Sequence, residues 1–202
     1  EEAQENVREI IEESANGDFP VGSDEQKVGD LFGSWMDIEH RNRLGMAPIA
    51  PEFERIDAIE SADDLARYFA STVRRGLDAP FAVTQFADLR NPEYYGVYAV
   101  QSGLGLPDRE YYFNEDEQSE ELRQKYIEHV AKMLYLAGID DSQTKAGQVF
   151  ALETRLAAEN MKKEDRRDWS RNYNKVATED LGTLMPNFNW DAYLDELGAS
   201  EL

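Results

Sequence analysis

The chain contains no cysteine among its 202 residues. Disulfide bonds and thiolate-bound metal sites are therefore excluded. It also lacks any apolar run approaching the ~20 residues that a helix needs to cross a bilayer. A chain of this length can bury one substantial hydrophobic core. The sequence thus predicts a core-stabilised domain with no membrane contact from this segment.

Histidine is almost absent, with only His40 and His129 in the chain. Zinc sites that activate water for peptide hydrolysis use two imidazoles one helical turn apart, with a glutamate between them, in the pattern H-E-x-x-H. That pattern does not occur. The nucleophile pattern G-x-S-x-G, the phosphate-binding pattern G-x-x-x-x-G-K-[ST] and the calcium loop D-x-[DN]-x-[DN]-G are missing as well. We therefore expect no catalytic residue, no metal site and no cofactor site in this chain.

Basic residues are few, with 21 lysines and arginines against 42 acidic residues, which gives a formal charge of −21. Binding of nucleic acid requires clustered Lys and Arg against the phosphates, and binding of anionic membranes requires the same. We expect neither partner. The acidic excess is most simply a soluble, self-repelling surface.

Apolar residues recur at helical spacing through most of the chain. The predicted helices cover 2–15, 24–43, a segment starting at Ser61, 118–137 and 142–162, with shorter helices near 178–184 and 189–197. Ser23 is a candidate N-cap with Gln26 three residues later, the spacing of a capping box. In the second helix an apolar stripe is formed by Val28, Leu31, Phe32, Trp35 and Ile38.

One segment, 81–101, has a different character. Its aromatic and β-branched residues alternate with small or polar ones on either side of Arg90-Asn91-Pro92-Glu93, which predicts an antiparallel β-hairpin. The predicted fold is therefore mainly α, a multi-helical domain over 1–202 with one small β-hairpin.

Glu153 is the charged residue that stands out, because it lies on the apolar stripe of its helix between Phe150 and Leu156. A carboxylate buried there must be paired or protonated. Two sources could supply a cationic partner: Arg109, and the cluster Arg166-Arg167-Asp168. The functional alternative is a glutamate that lines a cavity and contacts substrate. We favour the structural ion pair, since such networks often involve carboxylates without catalysis.

Several sequence blocks occur in the order found in one enzyme family. Residues 103–112, GLGLPDREYY, resemble the signature L-G-L-P-x-R-[DE]-Y-Y of the neprilysin family of zinc metallopeptidases, with Asp108, Arg109 and Tyr111 inside it. The family also includes the endothelin-converting enzymes and oligopeptidase O. Further blocks that resemble the family are KVGDLFGSWMD from Lys27, ALETRLA from Ala151, EDRRDWSRNYNK from Glu164, and Phe188-Asn189-Trp190. Trp35 departs from the pattern, since many members have Cys there.

The resemblance implies a function that this chain alone does not encode. In the family, a catalytic lobe holds zinc, and a helical lobe encloses a cavity that admits oligopeptides and excludes folded proteins. We expect residues 1–202 to be this non-catalytic lobe, with the catalytic domain of the same polypeptide and an oligopeptide substrate as partners. Zinc is then expected in the parent enzyme. We also expect the chain to be part of a longer protein, lacking an upstream arginine segment and the downstream catalytic domain.

Animal members of the family are rich in disulfides, so the lack of cysteine indicates a bacterial enzyme. The compartment stays open between the cytoplasm and export, with the cytoplasm slightly favoured. The alternative function is a stand-alone acidic helical adaptor that binds another protein, which rests only on the helix content and the acidic surface.

Overall fold

The computed structural model describes residues 2–201, apart from the side chain of Trp169. It is mainly helical with one two-stranded antiparallel sheet, which confirms the predicted fold class. The backbone groups into two compact units, one ending at Phe53 and the other starting at Glu54. That residues 1–202 act as a single domain stays a prediction.

The regular elements follow one another along the chain with short connections. The strands are β1 (Phe81–Ala87) and β2 (Tyr95–Gln101). The helices are α1 (Glu2–Asn16), α2 (Asp24–Met36), α3 (Ile38–Leu44), α4 (Ala50–Asp57), α5 (Ala62–Arg75), α6 (Glu110–Phe113), α7 (Glu117–Leu136), α8 (Ser142–Glu159), α9 (Trp169–Asn172), α10 (Leu181–Leu184) and α11 (Trp190–Leu197). Within residues 2–201, none of these helices combines the length and the apolar character needed to cross a bilayer.

The first unit is built around the packed helices α1 and α2. Ser23 caps α2 as predicted, because its hydroxyl accepts a hydrogen bond from the backbone N–H of Gln26 at 3.2 Å. The single helix predicted over 24–43 is wrong in one respect: it is interrupted at Asp37. The Asp37 carboxylate accepts from the backbone N–H of His40 at 2.8 Å and so starts α3 as a separate helix.

The second unit has its main core between α5 and α11. Ala66 and Ala70, one turn apart on α5, are fully buried and allow α11 to approach closely. Tyr193 of α11 fills this space, surrounded by the rings of Phe69, Phe81, Phe188 and Trp190. Such aromatic clusters stabilise a core beyond their buried area when the rings are tilted or edge-on.

The hairpin pairs in register from Phe81 opposite Gln101 to Ala87 opposite Tyr95. A lone two-stranded hairpin is marginally stable in water. Here Phe81 and Val83 pack on the α5–α11 core and so attach the sheet to the helices. A second core lies where α7 and α8 meet the segment that follows β2, and it holds the residues described next.

Candidate functional site

The two glycines in residues 103–107 lie where neighbouring atoms leave no room for a side chain. Gly103 has φ of +78°, and a Cβ there would also lie 2.9 Å from the carbonyl oxygen of Ala79. A Cβ on Gly105 would collide with the hydroxyl of Tyr126. Glycine suits position 103 because it tolerates the left-handed backbone, and it suits position 105 because it adds no side chain against Tyr126. The segment therefore passes directly against α7.

Tyr112 anchors this turn from the next helical segment. Its side chain is 5% exposed, and its ring stacks on Phe150 of α8 with centroids 5.7 Å apart. The backbone N–H of Leu106 donates to the Tyr112 hydroxyl at 3.1 Å. The hydroxyl thus satisfies a buried backbone donor of the turn, which would otherwise carry a desolvation cost.

Glu153 is the acceptor at the centre of this second core. Tyr112 donates its hydroxyl proton to Oε2 of Glu153 at 2.8 Å, and Tyr126 donates to Oε1 and Oε2 at 2.8 and 2.9 Å. We call Tyr112, Tyr126 and Glu153 the tyrosine–glutamate centre. It connects the helices α6, α7 and α8 through one half-buried carboxylate.

The surroundings of the two tyrosine hydroxyls raise the pKa of both. Burial is the main effect that raises the pKa of Tyr112, and the neighbouring Glu153 raises it further against the hydrogen bond from Leu106. Burial likewise raises the pKa of Tyr126, with Glu153 adding to it. A phenol ordinarily titrates near ~10, so both hydroxyls stay protonated donors throughout the neutral range. In the neutral range the two hydroxyls therefore serve as hydrogen-bond donors that hold this core together.

The prediction that an arginine pairs with Glu153 is wrong for the described residues. Arg109 instead lies over the ring of Phe113, 4.8 Å from its centroid. Arg166 and Arg167 lie in a short 3-10 turn, and both are exposed. Two neutral hydroxyls satisfy the carboxylate in place of a cation. This works because Glu153 is only half-buried, so a full counter-charge is not required.

The other predicted residues serve local structure. Asp108 accepts from the backbone N–H of Glu110 at 3.2 Å and lies 3.8 Å from the ammonium of Lys163. The carbonyl of Tyr111 accepts from the Arg123 guanidinium at 3.0 Å. Asp168 is the N-cap of α9 and accepts from the backbone N–H and the hydroxyl of Ser170. The structure therefore brings Glu153 together with the signature through Tyr112. Within residues 2–201, no hydrogen bond or ion pair joins Glu153 to Asp168 or its two arginine neighbours.

A second buried carboxylate, Asp88, was missed by sequence reasoning. It follows β1 and is 7% exposed. Its donors are the backbone N–H groups of Arg90 and Asn91, the hydroxyl of Tyr173 at 3.0 Å and the ammonium of Lys175 at 3.2 Å. The hydrogen bond from the Arg90 N–H is the main effect that lowers the pKa of Asp88, and the hydrogen bonds from Tyr173 and Lys175 lower it as well. Burial opposes these effects, and the resulting pKa is about 2.

This arrangement ties the hairpin turn to the block that contains Tyr173-Asn174-Lys175. The Arg90 guanidinium also lies over the Tyr173 ring, 4.4 Å from its centroid. The local signal was present, since aspartate before a turn often accepts backbone N–H groups. The partners could not be found from the sequence because they lie 85 and 87 positions further along the chain.

Two surface concavities lie elsewhere, and Glu153 lines neither. One, of about 440 Å³, lies along α5 and contains several arginines. Two of them are already paired, Arg67 with Asp195 at 3.2 Å and Arg74 with Glu196 at 2.9 Å. The other, of about 470 Å³, lies between α1 and α2.

Comparison with known proteins decides the family. The sequence model for the amino-terminal part of peptidase family M13 matches residues 1–201. This chain belongs to peptidase family M13. Mouse endothelin-converting enzyme-like 1 is 33% identical over 98% of this chain and 27% of its own length. Human endothelin-converting enzyme 1 is 34% identical over 58% of this chain and 16% of its own length.

A solved structure supports the assignment. The Mycobacterium tuberculosis zinc metalloprotease Zmp1, in complex with an inhibitor, superposes on this M13 chain with a TM-score of 0.82 at 32% identity. The match covers 98% of this chain and 30% of Zmp1. The M13 chain thus spans less than a third of the length of these relatives, and it corresponds to the amino-terminal part of a zinc metallopeptidase family.

The His, Asp and Glu side chains of residues 2–201 do not form a site for the zinc of the M13 family. Among residues 2–201, no three His, Cys, Asp or Glu side chains converge on a common point. His40 lies on α3 with its Nδ1 3.5 Å from the guanidinium of Arg43, a cation that opposes metal binding. His129 is exposed on α7. We therefore derive no zinc chemistry from the described residues.

Proposed function

We propose that residues 1–202 form the non-catalytic helical lobe of a zinc metalloendopeptidase that hydrolyses oligopeptides. In this proposal the lobe encloses the substrate cavity and excludes folded proteins, while a catalytic domain of the same polypeptide holds the zinc. The observation that carries it is the M13 match over 1–201 in a chain without H-E-x-x-H. The tyrosine–glutamate centre supports it, since Tyr112 of the signature donates a hydrogen bond that joins it to helix α8.

The first experiment separates the lobe from the parent enzyme. Purified residues 1–202 and the parent protein are each given an internally quenched oligopeptide, with zinc and with a chelator. We expect turnover only by the parent, abolished by the chelator, because catalytic zinc needs about three protein ligands at defined geometry. Zinc-dependent turnover by residues 1–202 would contradict the assignment as a non-catalytic lobe.

A second experiment tests size exclusion. The same cleavage sequence is placed in a free oligopeptide and in a flexible surface loop of a stable folded protein. The parent enzyme should cleave the peptide and leave the loop intact, since an enclosing lobe admits only short chains. Comparable cleavage of both substrates would reject the enclosing role while leaving the family assignment intact.

A further inference from the structure

The end of helix α1 contains the only Asn-Gly pair in the chain. Asn16 is the last residue of α1 and Gly17 follows it, and both residues are exposed to water. The side-chain amide of an asparagine can react with the backbone nitrogen of the next residue. Glycine obstructs this approach least, because it has no Cβ beside that nitrogen.

The packing around α1 favours glycine at position 17. A Cβ there would lie 2.3 Å from a ring carbon of the half-buried Phe19 and 3.1 Å from the carbonyl oxygen of Glu13. A larger residue would therefore require the Phe19 ring to move. The same absence of a side chain leaves the backbone nitrogen of Gly17 unshielded toward the amide of Asn16.

The last turn of α1 holds both of the groups that would react. Nδ2 of Asn16 donates to the carbonyl oxygen of Glu12 at 2.8 Å. The backbone N–H of Gly17 donates to the carbonyl oxygen of Glu13 at 2.9 Å. Attack of the Gly17 nitrogen on Cγ of Asn16 requires both hydrogen bonds to break. Helix ends open locally at a lower free energy than whole domains unfold, so this turn sets how often the reaction is possible.

We propose that Asn16 is a deamidation site that the last turn of α1 keeps closed in the folded protein. The Gly17 nitrogen gives up its proton and bonds to Cγ of Asn16. The bond from Cγ to Nδ2 breaks, Nδ2 takes up a proton and leaves as ammonia, and a succinimide ring remains. Water then adds to one of the two ring carbonyls and opens the ring to aspartate or isoaspartate. One water is consumed for each ammonia released, and no oxidant or cofactor takes part.

The product disturbs the turn that had slowed its formation. Either product loses the hydrogen bond from position 16 to the carbonyl oxygen of Glu12. A negative charge then replaces a neutral amide at the C-terminal end of a helix that has no basic residue in its last turn. A negative charge there interacts unfavourably with the helix dipole. Isoaspartate also lengthens the backbone by one methylene ahead of the connection to α2.

The test uses the full-length parent protein, held at mildly alkaline pH either in buffer or in enough urea to unfold it. Peptide mass spectrometry follows the conversion of each asparagine. Isoaspartate is detected by transfer of a labelled methyl group with an isoaspartyl methyltransferase. In urea, Asn16 should react faster than every other asparagine of residues 1–202. In buffer its rate should be ~10–100-fold lower, because two hydrogen bonds of ordinary strength must break first. Asn16→Gln should remove the signal at position 16 in both conditions.

A matched pair of variants separates the last turn of α1 from the rest of the fold. Ala15 lies in the last turn and Ala3 in the first turn, and both are exposed. Glycine weakens a helix locally relative to alanine, so Ala15→Gly should raise the rate in buffer about threefold, whereas Ala3→Gly should leave it unchanged. Equal effects of the two variants, or equal rates at Asn16 in buffer and in urea, would overturn the control by the last turn. Faster reaction of another asparagine in urea would overturn the choice of site.

Discussion

Replacing Glu153 with alanine removes the single acceptor that two buried hydroxyls share. Tyr112 and Tyr126 would each lose a hydrogen bond to a carboxylate at 2.8 Å. A buried donor left without a partner costs ~1–3 kcal/mol, with bonds to charged groups toward the upper end. Tyr112 is almost fully buried and pays most of this cost, while the half-buried Tyr126 can partly turn to solvent. We expect Glu153→Ala to lower the free energy of unfolding by about 2–4 kcal/mol.

The matched control is Glu159→Ala. Glu159 lies on the same helix, α8, and is exposed. Both variants change glutamate to alanine, so the gain in helix propensity is similar in each. An exposed surface substitution of this kind usually changes stability by less than ~0.5 kcal/mol. The difference between the two variants therefore reports the tyrosine–glutamate centre.

The measurement is urea unfolding followed by far-UV circular dichroism. With a slope of ~1–3 kcal/mol per M, the expected destabilisation moves the midpoint of Glu153→Ala by about 1 M or more relative to Glu159→Ala. A double-mutant cycle with Tyr112→Phe adds a second readout, since residues in direct contact typically couple by ~0.5–3 kcal/mol. Equal midpoints for the two alanine variants, or a coupling energy near zero, would refute the reasoning that these hydrogen bonds stabilise the fold.

Three further predictions use the same unfolding assay. Tyr193→Phe should be neutral or slightly stabilising, since the Tyr193 hydroxyl is buried with no partner among the described residues. Tyr112→Phe, by contrast, should lower the free energy of unfolding by ~1–3 kcal/mol. A large loss of stability in Tyr193→Phe would contradict the absence of a hydrogen-bond partner. Gly105→Ala should destabilise the protein by ~1–3 kcal/mol, because the added methyl group displaces Tyr126. The control is Gly147→Ala, which should stabilise slightly, because Gly147 is a helical glycine with open space around it. Similar effects of the two substitutions would contradict the close approach of Gly105 to Tyr126. The folded-state pKa of Asp88 is lowered from 3.8 to about 2, so its contribution to the free energy of unfolding is present above pH 4 and is lost as the pH falls toward 2. Asp88→Asn should therefore make the fall in stability between pH 4 and pH 2 less steep. An unchanged fall in this variant would rule out the contribution of Asp88.

The alkaline limb carries an independent check on the tyrosine–glutamate centre. The folded-state pKa of Tyr112 lies above the unfolded value of 10.0, so the folded protein binds more protons than the unfolded chain above pH 10. Stability should therefore be constant below that pH and fall as pH rises beyond it. Tyr112→Phe should make this fall less steep in urea midpoints measured across the alkaline range, and an unaltered slope would count against the assigned burial.

Local sequence determined the elements and the family. Helical periodicity placed α1, α5, α7 and α8 to within a few residues, and alternation placed the hairpin, because these patterns depend on near neighbours in the chain. Ser23 was readable as an N-cap, since a cap is satisfied within three residues. The order of the sequence blocks gave the neprilysin-type family, which the match over residues 1–201 confirms.

Only the tertiary structure shows which residues of different elements contact one another. The sequence showed that Glu153 needed a partner, but it could not choose hydroxyls 27 and 41 positions away over nearby arginines. Asp88 gave a local turn signal, while its burial and its contacts with Tyr173 and Lys175 depend on a distant segment. The apolar stripe of α2 was visible in the sequence, and only the structure showed that Phe32 is half-buried while Leu31 and Trp35 stay exposed. A periodic pattern specifies that a face is made for burial, whereas the choice of covering surface is settled by packing between segments remote in sequence.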